Sequence, residues 1–405
     1  MSFNVALTGL NAANQDLSVT ANNLANVGTV GFKGSRAEFG DLFAATQTGV
    51  SSTAVGNGVS VTEVAQQFSQ GDVETTGNNL DLAISGNGFF TTSNNGALQY
   101  TRDGEFQVNS SGNVVTASGA NLQVYPPLAN GTFNTGGLSD LSLSTEEGAP
   151  NATTTVAITA NLPANATVPP DPGFSPTDPN SYNNTTSVTT YDSLGAAHTA
   201  SLYFTNGGPN TWSAQLYIDG NAVGTPQALT YSSSGALLTP PGGIVAFPPY
   251  TPATGAADMN LTFNFNNTTQ YGNSFGVTAV TQDGYTTGLL SGISIGTSGI
   301  VQAQYTNGRS VDLGQVAMAN FANPQGLAQL GNASWAATSA SGSAVTGVAG
   351  GSGFGTISSG SLEESNVDTT TSLVDMITAQ RAFQANAQMI QTEDQITQTI
   401  IGIRQ

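Results

Sequence analysis

The chain has 405 residues, with 6 Lys plus Arg against 25 Asp plus Glu and a formal net charge of −19, a balance that excludes nucleic acid and an anionic membrane surface as partners. It contains no Cys, which excludes disulfides, thiol chemistry and thiolate metal sites. Length allows about two to four domains, and 38% apolar residues with 49 Gly and only 8% charged residues describe a turn-rich β protein whose surface rests on Asn, Thr, Ser and Gln.

The first predicted element is a helix over residues 1–28. Phe3, Leu7, Leu10, Leu17, Ala21 and Leu24 recur at alternating steps of four and three, or multiples of them, with Asn14 as the polar interruption. That spacing is a coiled-coil seam. Ser2 is a candidate N-cap, and Gly28 with Gly31 supplies a left-handed stop. Gly9 and the many Asn and β-branched residues make this helix weak in isolation. Its folding is therefore expected to be coupled to assembly with other helices. The opening residues lack a basic n-region, a continuous apolar run and a cleavage site, so no cleaved signal peptide is expected. No stretch approaches the roughly 18–20 apolar residues of a membrane span, so no membrane insertion is expected.

An irregular connector follows, Thr29-Val30-Gly31-Phe32-Lys33-Gly34 and then Phe39, Leu42 and Phe43, and from about Val59 the period becomes two. Residues 80–90 read as strand, Gly-rich turn, strand, and Arg102-Asp103-Gly104-Glu105-Phe106 as a hairpin tip. Asn206-Gly207, Asp219-Gly220, Asp283-Gly284 and Asn307-Gly308 are further hairpin signals. Composition breaks at Thr145-Glu146-Glu147-Gly148-Ala149-Pro150 and again near Gln282-Asp283-Gly284. The stretch between them holds most of the prolines, including Pro169-Pro170-Asp171-Pro172 and Pro248-Pro249, and predicts strands at 187–191, 200–205 and 261–266. It reads as an inserted β domain. Strands resume to about Trp335, a Gly/Ser-rich loop is expected over 339–355, and the chain returns to helix.

The closing helix, predicted over 369–405, carries Leu373, Met376, Ile377, Phe383, Ile390, Ile396 and Ile400, with Asp375 in its first turn and Arg404 at its end, both suited to the helix dipole. The fold class is thus mixed and mainly β, with nested β-rich domains carried on paired terminal α-helices. The expected boundaries are 1–28 with 369–405 for the helical domain, 29–70 with 358–368 for a connector, 71–145 with 284–357 for a first β domain and 146–283 for the inserted one. Nesting brings the two termini side by side.

Chemistry is sparse. His198 is the only histidine, so any Ser-His-Asp triad must pass through it and a multi-histidine zinc site is impossible. It reads as a surface or turn residue. The pairs Glu146/Glu147 and Glu363/Glu364 are adjacent in sequence and read as solvated turn charges rather than the facing carboxylates of acid–base catalysis. Residues 347–355 hold five glycines but lack the Lys and the strand-to-helix context of a phosphate cradle. No catalytic, cofactor or metal site is predicted. A polysaccharide-degrading reading would have to draw on Asp81, Asp103 or Asp192.

The segment Ala21-Asn22-Asn23-Leu24-Ala25-Asn26-Val27-Gly28-Thr29-Val30-Gly31-Phe32-Lys33 closely resembles the N-terminal signature of bacterial flagellar rod and hook proteins. Leu362-Glu363-Glu364-Ser365-Asn366-Val367-Asp368, followed by Ala379-Gln380-Arg381-Ala382-Phe383, is similar to the partner signature at their C-terminal end. Residues 80–90 and the block Tyr305-Thr306-Asn307-Gly308-Arg309 leading on to residues 313–327 also agree. The insert, with Tyr191-Asp192-Ser193-Leu194-Gly195, resembles the hook members rather than the shorter distal rod members.

This resemblance implies a structural subunit of a self-assembling, flexible helical tube that joins rod to filament and transmits torque, not an enzyme. It implies exit without cleavage through the flagellar type III export apparatus to an extracellular site. The partners implied are copies of itself, the rod, the hook cap, the hook-length control protein and the hook–filament junction proteins. Inter-subunit helix packing would fall on Phe3, Leu7, Leu10, Leu17, Leu24, Leu373, Met376, Ile377, Phe383, Ile390, Ile396 and Ile400. Asn14, Gln384, Asn386 and Gln388 would belong to the polar, partly channel-facing surface. Signature and connector residues are Asn22, Asn23, Asn26, Gly31, Phe32, Lys33, Ser365, Asn366, Val367 and Asp368, and Gly28, Gly31 and Gly34 are hinge candidates. A distal rod protein, a hook–filament junction protein or a secreted β-rich adhesin are the alternative readings.

Overall fold

The computed structural model describes residues 2–42, 56–143, 148–171 and 173–403, and omits the side chains of Ser2 and residue 403. The Ser2 cap, Phe43, the Thr145-Glu146-Glu147 break, Pro172 and Arg404 therefore lie outside what is described. As the sequence predicts, the molecule is mainly β with its terminal helices packed together. The chain divides into two compact units, one of residues 1–144, 292–304 and 310–405 and the other of residues 145–291 and 305–309.

The first unit opens with α1 (Ser2–Ala25) and continues into a ribbon of β1 (Ser35–Asp41) and β2 (Val59–Gln66). The ribbon folds back along α1. Val59 N–H donates to the Thr8 hydroxyl at 3.3 Å, and Asn23 exchanges two hydrogen bonds with the Ser35 backbone at 2.7 and 2.9 Å. In the β body, the long strand Ser310–Asn320 is the hub and pairs with Ile300–Tyr305, Asn121–Tyr125, Phe89–Asn94 and Val345–Val348. The core around it is Leu82, Ile84, Phe90, Phe106, Leu122, Val124, Val316, Met318 and Ile357. Two short pairings, Thr356–Ser359 on Leu82–Ser85 and Ser361–Glu363 on Val73–Thr75, return the chain to its starting side before α2 (Thr369–Ile403). Among the described residues no helix is long and apolar enough to cross a membrane.

The second unit has two five-stranded sheets that share one core, with Trp212, Phe204, Leu216, Phe263, Phe265 and Ile158 among its buried residues. Burial alternates strictly along residues 197–206, with His198, Ala200, Leu202, Phe204 and Asn206 inward and the residues between them outward, so that strand has one buried and one outward face. Asp219 and Gly220, at φ +50° and +79°, make the two-residue turn between Thr211–Ile218 and Asn221–Tyr231, as their sequence predicts.

Other local expectations are corrected. Asn206 lies inside its strand, and the turn falls at Pro209-Asn210, where Asn210 takes φ +56°. Asp283 makes no hairpin; its carboxylate accepts the Thr154 and Thr155 N–H groups at 2.8 and 3.0 Å and so ties the end of the second unit's chain to its beginning. The predicted loop over 339–355 contains the strand Val345–Val348, because the hub strand offers backbone partners that override the low strand propensity of Gly347. The Arg102–Phe106 segment is no exposed tip. Arg102 and Gly104 are buried, and a Cβ on Gly104 would overlap the Leu82 carbonyl.

Candidate assembly site

The terminal helices run antiparallel. A Cβ at Gly9 would stand 2.8 Å from Asn386 Oδ1, Asp16 lies near enough to Asp375 to feel its charge, and Gly34 beyond α1 meets Asn366 and Val367 ahead of α2. The buried residues of both helices are small: Ala6, Ala12, Ala13 and Thr20 on α1, Ser372 and Ala379 on α2. Small side chains let the two backbones approach closely and leave the large apolar groups pointing elsewhere. By this register α2 outruns the start of α1 by about ten residues, roughly 15 Å of helix. Residues 394–402 are all exposed.

None of the twelve apolar residues predicted for helix packing is fully buried in the single chain. Phe3, Leu7, Leu373, Ile377, Ile396 and Ile400 are exposed, the last at 62%, and Leu10, Leu17, Leu24, Met376, Phe383 and Ile390 are half-buried. Val374, Met389 and Ile401 add to the exposed apolar surface and escaped the heptad reading. Asn14, Gln384 and Gln388 are exposed, whereas Asn386 sits against Gly9. Asp375 is not in the first turn of α2. The helix starts at Thr369, and Asp368 caps it by accepting the Thr371 N–H at 2.6 Å, a bond that holds the Asp368 carboxyl below its usual range.

Between helices and β body the signature residues converge. α1 stops at Ala25; Asn26 N–H is shared between the Asn22 and Asn23 carbonyls, and Asn26 Oδ1 accepts the Thr29 hydroxyl at 3.2 Å. Gly31 takes φ +66°, and a Cβ there would lie 2.4 Å from Asp103 N. A Cβ on Gly34 would lie 3.0 Å from Val367 Cγ2, a tight but less severe contact. These two glycines are therefore close-packing positions in the isolated chain. Only Gly28 stands in open space. Asn366 accepts Gly34 N–H at 2.8 Å and donates to the Gln67 and Ser69 carbonyls at 2.6 and 3.1 Å. Its own N–H reaches the half-buried Phe32's carbonyl, and Ser365 Oγ accepts the Val367 N–H.

At the centre is a carboxylate that the sequence reading misplaced. Glu363 is fully buried, not a solvated turn charge. Its Oε1 accepts Lys33 Nζ at 2.5 Å and Gly71 N–H at 3.0 Å, its Oε2 accepts Arg102 Nη1 at 2.8 Å, and its backbone carbonyl accepts Gly31 N–H at 2.8 Å. Lys33 also donates to the Ser69 carbonyl, and Arg102 to that of Gly86. Two of the chain's 6 basic residues are thus buried on one anion. Burial lowers the Lys33 pKa, with Arg102 adding to that effect and Glu363 opposing it. The available signal was scarcity: in a chain with so few cations, an Arg amid strand residues is a candidate for a buried ion pair. The neighbouring Glu364 is exposed, and its carboxyl is raised by hydrogen bonding to Glu74.

His198 is likewise buried, correcting the surface reading. Its Nδ1 lies 2.6 Å from Asp219 Oδ2 and its Nε2 3.2 Å from Asp192 Oδ2. Burial alone would lower its pKa, but the two carboxylates outweigh this and raise it. Burial would raise Asp192; the Thr254 hydroxyl, the Ala196 and Leu194 N–H groups and His198 instead bring it to about 2. The cluster pins the 192–196 turn. Asp103 is pushed up to about 6, chiefly by burial, and Asp81 accepts the Thr76 hydroxyl and the Asn78 amide. In the glycine run, a Cβ on Gly347 would strike the Phe354 ring, so this residue is a packing glycine.

Four family patterns match the chain: "Flagella basal body rod protein" over residues 3–33, "Flagellar hook protein FlgE/F/G D1 domain" over 83–169, "Flagellar basal body protein FlaE D2 domain" over 161–285, and "Flagellar basal body rod FlgEFG protein C-terminal" over 358–403. The flagellar hook protein FlgE of Escherichia coli K12 is 39% identical, covering 100% of both chains. That of Salmonella typhimurium is 38% identical over 100% of both, and that of Rhizobium meliloti 32% identical over 100% of this chain and 98% of its own. A crystal structure of Helicobacter pylori flagellar hook protein FlgE2 shares the fold, with a TM-score of 0.51 at 14% identity over 70% of this chain and 98% of that one.

Proposed function

We start from the premise that this chain belongs to the flagellar hook protein family, and we infer from it how the molecule works as a structural subunit of the hook. It polymerises with copies of itself and associates with rod and other flagellar components. The family is one of structural proteins rather than an enzyme class.

The finer reading is ours. The terminal helices form the inner tube, residues 29–70 with 358–368 the connector, and the β-rich remainder the outer layers, with 146–283 outermost. The large apolar side chains of α1 and α2 pack against helices of neighbouring copies. The observation that carries this is the inversion within the pair: small residues are buried, whereas the large apolar ones are exposed or half-buried. Burying each such side chain contributes roughly 1.5–3 kcal/mol. Hook cap, hook-length control and hook–filament junction proteins are the expected partners, and the subunit is exported uncleaved through the type III apparatus to its extracellular place.

Immunogold microscopy of isolated flagella with an antibody to residues 150–280 tests the assignment. Label confined to the short curved segment between rod and filament supports it. Label on the rod favours a rod protein, and scattered surface label an adhesin.

A further inference from the structure

We propose that Lys33, Arg102 and Glu363 form a three-charge clasp that makes docking of the first connector conditional on the second, so that residues 31–34 settle on the β body only where the strand Ser361–Glu363 is already in place. Lys33 is 1% exposed and Arg102 5%. Without Glu363 their site would hold two buried like charges. Arg102 with Glu363 is a balanced pair that can form first. Lys33 is the addition that needs the anion present.

The remaining bonds point the same way. Gly31 N–H ends on the Glu363 carbonyl, Lys33 Nζ on the Glu363 carboxylate and Gly34 N–H on Asn366, so three anchors of the first connector belong to the second. At residues 31–34 the Lys33 bond to Ser69, the Gln67 N–H bond to the Gly34 carbonyl and the Phe32 N–H bond to the Thr29 carbonyl are independent of it, and further along the same connector Gln66 and Gln70 bond the β body directly, at Gln325, Trp335 and Gly86. Lys33 and Glu363 are 330 positions apart, so the contact cannot close before nearly the whole chain is present. The consequence is that the connector leaving α1 is fixed for pairing only in a subunit whose C-terminal segment has docked, while the β1–β2 ribbon holds α1 itself through Thr8 and Asn23. That last step rests on the assembly reading above.

The test compares hooks from cells making the natural chain, Glu363→Gln, and Glu363→Gln combined with Lys33→Met. Glutamine keeps the shape and removes the charge, leaving two unneutralised cations. Assembled hook per exported chain should fall roughly 100-fold, or, where hooks form, amide exchange at residues 31–34 should accelerate by a similar factor. Adding Lys33→Met replaces the second cation by an apolar chain of similar length. Hook yield and protection should then recover about tenfold over the single variant, short of the natural level because Arg102 remains as one unneutralised cation. A merely space-filling role predicts the opposite, since the double variant has lost more native contacts. A double variant no better than the single one, or a single variant with natural yield and protection, overturns the clasp. Exported chain in the medium normalises for synthesis. Where the natural chain is located reports on the hook assignment, whereas the variant ratios report on the clasp.

Discussion

Gly31 and Gly28 sit three positions apart and make opposite demands. Gly31 combines a left-handed backbone with contact on Arg102 and Asp103, so Gly31→Val costs at least about 1–3 kcal/mol in backbone strain alone. Hooks carrying it should be few, straight or stiff in electron micrographs, and normally curved hooks on motile cells would count against this. Gly28→Ala meets nothing within 4 Å and should leave hooks normal. Both glycines were visible in the sequence; which of them is pressed against a neighbour was not, because that depends on a loop about seventy residues away. His198 makes a pH prediction. Its folded pKa is raised, so its contribution to stability is full below the unfolded value of about 6.5 and is lost as pH rises through the folded value. Asp192, depressed to about 2, contributes above about 3.8 and loses its effect as pH falls towards 2. In the full chain with Trp335→Phe, the Trp212 fluorescence transition should occur at lower temperature at pH 8.5 than at pH 6, and His198→Gln should remove most of that difference. Equal transition temperatures at the two pH values in the unaltered His198 background would refute it.

At the scale of elements, the heptad stripes of both helices were legible because large apolar residues dominate periodicity. The buried line of Ala6, Ala13 and Thr20 on α1 was not, since small residues add little to any hydrophobic pattern. The stripe therefore marked the helices correctly and left open which face serves the chain's own partner. The part of α2 beyond α1 makes the sharpest prediction. Replacing Ile396 and Ile400 by Asn removes apolar groups that are exposed in the single chain. The near-ultraviolet circular dichroism of the secreted chain should be unchanged while hook formation is lost. Hooks formed in natural number would place the packing surface elsewhere. Strand signals were read well where alternation was strict, as in residues 197–206, and poorly where a glycine-rich segment found its pairing partner far away, as in Val345–Val348. Long-range pairing is the part of β structure that local sequence carries least.

For the whole molecule, composition decides how copies meet. Each carries −19, so adjoining subunits repel at low ionic strength, and the low charge content leaves few specific ion pairs for salt to weaken. The fraction of sedimentable polymer should therefore rise between about 20 and 200 mM salt, a range over which the screening length shortens several-fold. A fall would mean that attractive ion pairs between copies dominate. On the proposed reading, the Asn- and Thr-rich surface would give hydrated polar contacts between copies in several near-equal arrangements, as a tube that changes curvature while it turns requires.

The meeting of Gly31 and Lys33 with Glu363 also divides the chain mechanically. A pull on one terminal helix can pass to the other through a few short bonds without running along the 330 positions between Lys33 and Glu363. Apart from Ser69, Gly71 and Arg102, which complete the Lys33–Glu363 site, those residues hang from the load line as a pendant rather than lying within it. Mass can be added to or trimmed from the pendant, and its surface altered, with the axle keeping the same geometry.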